Sequence, residues 1–215
     1  KDLFPKLLRD GIPMYGYVSR GYWNDIGDLK VYKEVNFDIL EGKVKINHDY
    51  KQLSEGIWVG SNCSIDSSCI IKSPAFIGDY CVIKGSTVIS ESIIGPNCEI
   101  DANTSLKRSI IWKNGVIQSN VQCRGAVLCD GVRVKNGANI FENSVVGSKT
   151  TVSSGSTIKP DVKIWPEKTI EEGAVVNQSL VWGTKVTKTL FGFKDISVEI
   201  NTEITPEFAA RLASA

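Results

Sequence analysis

The sequence predicts a mainly β chain organised around a parallel β-helix of hexapeptide repeats, and three observations carry that prediction. Aliphatic, mostly β-branched residues recur every six positions from Val59 through Ile65, Ile71, Ile77, Ile83 and Ile89. After one-residue slips of phase the series resumes at Ile94, Ile100 and Leu106, then at Ile111, Ile117 and Cys123, and runs without a slip from Leu128 to Val176. A longer repeat confirms it, because SIIG ending at Gly95, SIIW at Trp112, AVLC at Cys129 and SVVG at Gly147 return every 17 or 18 residues. A period of six fits neither an amphipathic helix nor an alternating strand, and it does fit short strands joined by corners.

Three hexads make one triangular coil. The aliphatic residue of each hexad points into the prism and stacks on its counterpart in the next coil, so neighbours bury together what no single repeat could bury. Coils beginning at Val59, Ile77, Ile94, Ile111, Leu128, Val146 and Ile164 give about seven turns, hence a prism about 34 Å long at the usual strand spacing. Gly60, Gly78, Gly95 and Gly147 follow inward positions and are expected to supply positive φ at tight corners. Asn97, Asn103, Asn114, Asn120 and Asn136 are expected at corners too, because Asn tolerates the left-handed region. Trp112 and Trp165 stand where other coils have Gly. An outward Trp there either covers an edge within the chain or anchors an interface, and the flat faces of a long β-helix favour a homo-oligomer.

Composition excludes several classes. The chain has 215 residues, room for one or two domains, and a net charge of +1 with both signs interspersed. No basic run suggests nucleic acid or a membrane surface, and no apolar run approaches the length of a membrane span. Cys63, Cys69, Cys81 and Cys98 each fall four residues after an inward position, and Cys123 is itself inward. With no CxxC pair and one histidine, zinc is disfavoured. The six thiols read as small buried hydrophobes in a reducing, cytoplasmic compartment.

The stretch before the repeat, residues 1–56, is read in order. Leu3, Phe4, Leu7 and Leu8 form a short helical stripe that ends before Gly11. Met14 to Val18 and the aromatic run Tyr22 to Gly27 are expected as strands. Asp28 is expected to cap a helix from Leu29 to Leu40, with Leu29, Tyr32, Val35, Asn36 and Ile39 on its apolar face and Gly42 closing it. Lys43 to Ile46 can form a first strand, and His48 sits in the loop that follows. Asp25 at the end of the aromatic run is either a metal ligand or an Asp that only ends a strand and starts a turn.

The segment YWNDIGDLKVYKEVNFDILEGKV resembles the end of the nucleotidyltransferase domain of sugar-nucleotide pyrophosphorylases, where an aromatic strand leads into W-x-D-x-G and then a helix with a Tyr and an Asn. KDLFPKLL followed by YGYV resembles the preceding segment, and the chain is most similar to the mannose-1-phosphate guanylyltransferase type. Glucose-1-phosphate adenylyl- and thymidylyltransferases and guanine-exchange subunits of a translation factor share the order of domains. The SIIW and AVLCDGV rungs look like the guanylyltransferase and exchange-factor branch. The resemblance implies a left-handed β-helix, a parent enzyme that joins a sugar-1-phosphate to a nucleoside triphosphate, and a cytoplasmic oligomer. It places Trp23, Asp25 and Gly27 in substrate binding, with Asp25 a ligand of the catalytic Mg2+ and Gly27 letting the backbone pass close by.

The family's glycine-rich loop and its phosphate-binding Arg and Lys have no counterpart here. The stretch therefore contains no catalytic residue of its own, and the chain alone is expected not to transfer a nucleotidyl group. Two further readings compete: a non-catalytic regulatory module of the exchange-factor kind, and a hexapeptide acyltransferase. The acyltransferases use a coil histidine as general base, and none lies between Val59 and Val176. The tail LFGFKDISVEINTEITPEFAARLASA resembles the opening of a phosphohexomutase domain, with Lys194-Asp195 where Arg-Gly is expected, or else forms a terminal cap. The expected organisation is thus the end of a nucleotidyltransferase domain at 1–45, a β-helix at 46–182 and the mutase-like start or cap at 183–215, a slice of a longer protein.

Overall fold

The computed structural model describes residues 2–44, 46–47 and 50–181 and the backbone of 185–186. His48, Trp182, Gly183 and the mutase-like or capping tail lie outside the described residues. From Ile57 onward the chain winds a parallel solenoid of short strands, the hexapeptide left-handed β-helix of the sequence reading. Three sheets enclose it, two of eight strands and one of seven. The first sheet carries Ile57–Val59, Ala75–Ile77, Ile93–Ile94, Ile110–Ile111, Val127–Leu128, Val145–Val146 and Lys163–Ile164. The second begins with Ser64–Ile65 and Val82–Ile83, and the third with Ile70–Lys72 and Val88–Ser90.

Each strand pairs in register with the strand one coil away, as Ile94 with Ile111 and Ile111 with Leu128. Register is what the six-residue period specifies, because a one-residue slip would turn every inward side chain outward. The inward residues Ile77, Ile94, Ile111, Leu128 and Val146 are therefore sealed inside the prism, as are Ile83, Ile100, Ile117 and Val134 of the second sheet. Cys81 and Cys98 are fully buried at a corner and belong to the same core, and half-buried Cys63 and Cys69 pack against it. Their thiols donate to carbonyl oxygens of the adjacent coil, Cys81 to Gly95 at 3.2 Å and Cys98 to Trp112 at 3.0 Å. Burial alone pushes the inward thiol of Cys123 up to about 12.

The corners obey two rules that the sequence separated only in part. Asn97, Asn103, Asn114 and Asn120 adopt φ between 56 and 61°, the left-handed region that Asn tolerates. Asn136 does not, and its neighbour Gly137 takes that conformation at φ 68°. Gly60, Gly78, Gly95 and Gly147 are corrected as well, since none has positive φ. Their role is closeness. A Cβ on Gly60 would lie 2.5 Å from the backbone N of Asp79, and one on Gly147 would lie 2.5 Å from the N of Pro166.

Before the solenoid the described residues form two helices, α1 (Leu3–Arg9) and α2 (Leu29–Leu40). The strands expected at Met14–Val18 and Tyr22–Gly27 are absent, and this run is exposed coil. A strand needs a neighbour for its N–H and C=O groups, and no other described strand borders these residues. Among the described residues the first strand is Lys51–Ser54, which forms an antiparallel hairpin with Ile57–Val59, and residues 43, 44 and 46 of the expected first strand are not in one.

The Gly147 contact gives a measurable consequence. Gly147→Ala is expected to destabilise the solenoid by about 1–3 kcal/mol through overpacking. Gly137→Ala, where a Cβ meets nothing within 4 Å but φ is 68°, should cost about 1 kcal/mol or less. Urea midpoints of the two variants rank them, and equal midpoints would refute the close-approach account.

Candidate functional site at the helix–solenoid junction

Strands of a β-helix have an outer side too, and on the first sheet that side is apolar as far as Val145, ending at Lys163. Trp58, Phe76, Ile93, Ile110, Val127 and Val145 each precede an inward residue and line up from coil to coil. The equivalent positions of the second sheet read Ser64, Val82, Glu99, Val116, Arg133 and Thr151. The stripe was missed in the sequence because the six-residue count follows inward positions. Reading one residue earlier at every third hexad would have found it.

Helix α2 lies on this stripe. Asp28 caps it as expected, its Oδ1 accepting from the N–H of Val31 at 2.8 Å, and Gly42 follows it at φ 78°. Phe37, 6% exposed, is buried against Ile110 and Val127, with Tyr32, Leu40, Ile93 and Val145 around them. The apolar face is therefore centred on Phe37, beside the face expected from Leu29, Tyr32, Val35, Asn36 and Ile39. Of those, Leu29 remains exposed, while half-buried Asn36 donates its side-chain N–H to the carbonyl of Tyr32 at 2.8 Å. A flat sheet surface selects the ring of Phe37, and the Arg108 guanidinium covers its other side 5.0 Å from the ring centroid.

Polar contacts fix the position of the helix. The indole N–H of Trp112 donates to the Tyr32 hydroxyl at 2.9 Å, and the two rings meet edge-on with centroids 6.2 Å apart. Burial raises the pKa of the Tyr32 hydroxyl. The Lys33 ammonium donates to the Gly125 carbonyl at 2.6 Å and to Asn143 Oδ1 at 3.1 Å. Burial lowers its pKa, and the Arg108 charge lowers it further.

The W-x-D-x-G segment hangs from the same helix. The Tyr22 hydroxyl donates to Asp38 Oδ2 at 2.7 Å, and Lys43 holds the other Asp38 oxygen at 2.6 Å. Lys43 and then Tyr22 keep the Asp38 carboxyl below the usual carboxylate range. Trp23 is 81% exposed, and Asp25 and Gly27 are exposed beside it. The Gly27 N–H closes a local turn on the Asp25 carbonyl at 2.9 Å. Asp25 presents one carboxylate, and among the described residues no group of three His, Cys, Asp or Glu side chains could hold a metal ion. One carboxylate does not bind Mg2+ firmly, so the described residues do not build a magnesium site on their own. Of the two outward tryptophans, Trp112 is 36% exposed and engaged by Tyr32, while Trp165 is 56% exposed. No helix among the described residues is long and apolar enough to cross a membrane.

Comparisons with known proteins place the solenoid. Residues 54–158 match the model of the EIF2B subunit epsilon LbH domain, the left-handed β-helix of that subunit. The glucose-1-phosphate adenylyltransferase of Clostridium kluyveri is 28% identical over 100 residues, covering 43% of this chain and 25% of the relative. That of Halalkalibacterium halodurans is 34% identical over 58 residues, covering 27% of this chain and 14% of the relative. The chain thus spans a quarter or less of the length of these curated relatives. Among solved structures, AntD, an N-acyltransferase from Bacillus cereus, superposes with a TM-score of 0.51 at 18% identity, over 60% of this chain and 86% of that one. LpxA, a UDP-N-acetylglucosamine acyltransferase from Bacteroides fragilis, gives 0.50 at 14% identity over 63% and 68%. These structural likenesses share the hexapeptide left-handed β-helix fold with this chain, and its sequence similarity to curated proteins includes sugar-nucleotide pyrophosphorylases of the glucose-1-phosphate adenylyltransferase kind.

The anchoring role of the stripe is open to a direct check. Phe37→Ala is expected to remove about 3 kcal/mol of docking. Amide protection in α2 should then fall about a hundredfold in hydrogen exchange, while the coils beyond Val127 keep theirs. Unchanged protection in α2 would mean that the helix is held elsewhere.

Proposed function

We propose that this chain belongs to an enzyme that joins a sugar-1-phosphate to a nucleoside triphosphate, giving a nucleotide-sugar and pyrophosphate. The observation that carries the reading is the seating of α2 on the first sheet. It ties the segment bearing Asp25 to the solenoid through α2, by way of the Tyr22 hydroxyl on Asp38. The similarity of this chain to glucose-1-phosphate adenylyltransferases supports the same reaction class. In the reaction, a phosphate oxygen of the sugar-1-phosphate attacks the α-phosphorus of the triphosphate and the bond to the β-phosphate breaks.

Trp23, Asp25 and Gly27 form the part of the substrate site that this chain contributes. Their exposure suits residues that face the rest of a catalytic domain. Asp25 would share a Mg2+ with a second carboxylate supplied from elsewhere, and the ion would neutralise charge on the phosphates. The solenoid is the scaffold. Guanosine and mannose are the pairing that residues 22–44 favour by resemblance, and adenosine and glucose the pairing that the curated relatives favour. A regulatory binding module without chemistry is the second reading, supported by the match to a translation-factor subunit.

Pyrophosphate release separates these readings. The full gene product is assayed with Mg2+ and each pairing of GTP, ATP, UTP or dTTP with mannose- or glucose-1-phosphate. Turnover with one pairing, lost in Asp25→Ala, is expected, with none from the 215-residue chain alone. No turnover with any pairing would replace the transferase reading with the binding module.

We also propose that the protein self-associates through the solenoid face around Trp165, an exposed indole beside the edge of a flat sheet. Sedimentation should show an oligomer that Trp165→Ala dissociates. Trp112→Phe, whose parent indole is spent on Tyr32, should leave the mass unchanged. A monomeric parent protein, or an oligomer indifferent to Trp165→Ala, would refute this anchor.

A further inference from the structure

The outward residues of the second sheet form two columns, one on each side of the inward series. Glu99, Val116 and Arg133 follow one another along the first column, in the third, fourth and fifth coils. Asp101, Gln118 and Lys135 follow one another along the second column in the same coils. A coil with two carboxylates and a coil with two cations thus flank a neutral one. Val82 and Thr151 continue the first column at either end. The other faces differ. Helix α2 covers the first sheet, and the matching column of the third sheet is uncharged from Ile70 to Val175.

The charges of the second sheet do not answer one another within the chain. The acidic and basic coils lie two strand spacings apart, about 10 Å. Asp101 holds Lys84 of the preceding coil at 2.6 Å, and Glu99 acts on the same ammonium from farther away. Arg133 and Lys135 pair with no carboxylate among the described residues. An order of acid, neutral and base complements itself when turned end for end. A two-fold axis along the strand of Val116 sets the third coil of one copy against the fifth of the other and keeps each column opposite itself. Glu99 then faces the partner's Arg133, and Asp101 the partner's Lys135, each twice by symmetry. Packing the same faces with the prisms parallel sets Glu99 against Asp101 and Arg133 against Lys135, so like charges oppose it.

We propose that the second sheet docks a second copy of this chain, face to face and antiparallel about Val116. The face measures about 34 Å along the prism by about 17 Å along the strands, hence about 600 Å2 per partner, the low end for a specific interface. The contact is therefore reversible, with the charges choosing its orientation and Val82 and Val116 supplying apolar area. It stands apart from the nucleotidyl-transfer reading and from Trp165, which lies outside both columns.

Sedimentation equilibrium of the full gene product tests it with two variants of the face. Glu99→Lys with Asp101→Lys makes both charged coils basic, and Arg133→Glu with Lys135→Glu makes both acidic. All four side chains point outward, so the coils keep their core. Each variant alone is expected to raise the dissociation constant at least about tenfold. An equimolar mixture should recover association, because every facing pair is then of opposite sign. Lys159→Glu, beside the third sheet, should change nothing. A monomeric gene product, association indifferent to both face variants, equal weakening by Lys159→Glu, or no recovery on mixing would overturn the proposal. An oligomer lost in Trp165→Ala and kept in both face variants would uphold the Trp165 anchor and overturn this face.

Discussion

Coil-on-coil register is the constraint on which everything else here depends. Each inward side chain rests on the same position of the next coil about 4.8 Å away, so the prism has one cross-section repeated about seven times. That cross-section admits Ile, Val, Leu or Cys along the sheets and buries nothing larger than Val at the corners, which is why Cys81, Cys98, Thr87, Thr104, Val121 and Ser156 are found there. The buried hydroxyls are not left bare. Thr87 donates to the Asp101 carbonyl at 3.0 Å and Thr104 to that of Gln118 at 2.9 Å, each reaching the adjacent coil. Burying a polar group without such a partner would cost about 1–3 kcal/mol.

The first sheet departs from its siblings because it is apolar on both sides as far as Val145. A helix of 12 residues is marginal in water by itself, since its nucleation is costly and its length short. α2 persists by laying Phe37 and Leu40 on an outer face that the solenoid has already made flat and rigid. The direction of docking follows from its contacts. Lys33 reaches Gly125 and Asn143, Phe37 sits on Ile110 and Val127, and Ile39 and Leu40 line one cleft with Phe76 and Ile93. The helix thus runs back along the prism toward its first coil and delivers the chain there, where the Tyr50 ring meets Phe76 edge-on at 4.7 Å.

Much of this was legible. The period of six is direct because it is a rule of burial, and burial depends on side-chain type alone. The cap of α2 was legible for the same reason, Asp28 being a local matter. What escaped was relational. Met14–Val18 and Tyr22–Gly27 have strand-like composition but no neighbour among the described strands, and composition cannot supply one. Phe37 was overlooked because helical spacing alone does not say which of two adjacent faces meets a sheet. Gly60 and Gly147 were assigned to φ when the deciding fact was a backbone 2.5 Å away in another coil. Asp25 stands in the same position: its residue type suits a hard cation, yet its partners are set by what surrounds it.

The phase slips turn out to carry information that the repeat itself does not. Steps of five residues occur between Ile89 and Ile94, Leu106 and Ile111, and Cys123 and Leu128. All three are turns from the third sheet to the first, and each is closed by one residue at positive φ: Glu91 and Arg108 at 47°, Gly125 at 60°. These are the corners that flank α2. A corner shorter by one residue projects less from the prism, and it lets a helix lie close along that edge. The span agrees, since Tyr32 to Leu40 rises about 12 Å and the four strands from Ile93 to Val145 cover about 14 Å. Where the helix ends, the six-residue step returns, between Ile140 and Val146 and again between Ile158 and Ile164. An irregularity in a solenoid repeat can therefore mark the edge along which another element docks, and here it marks the edge that carries Lys107, Arg108 and Gly125.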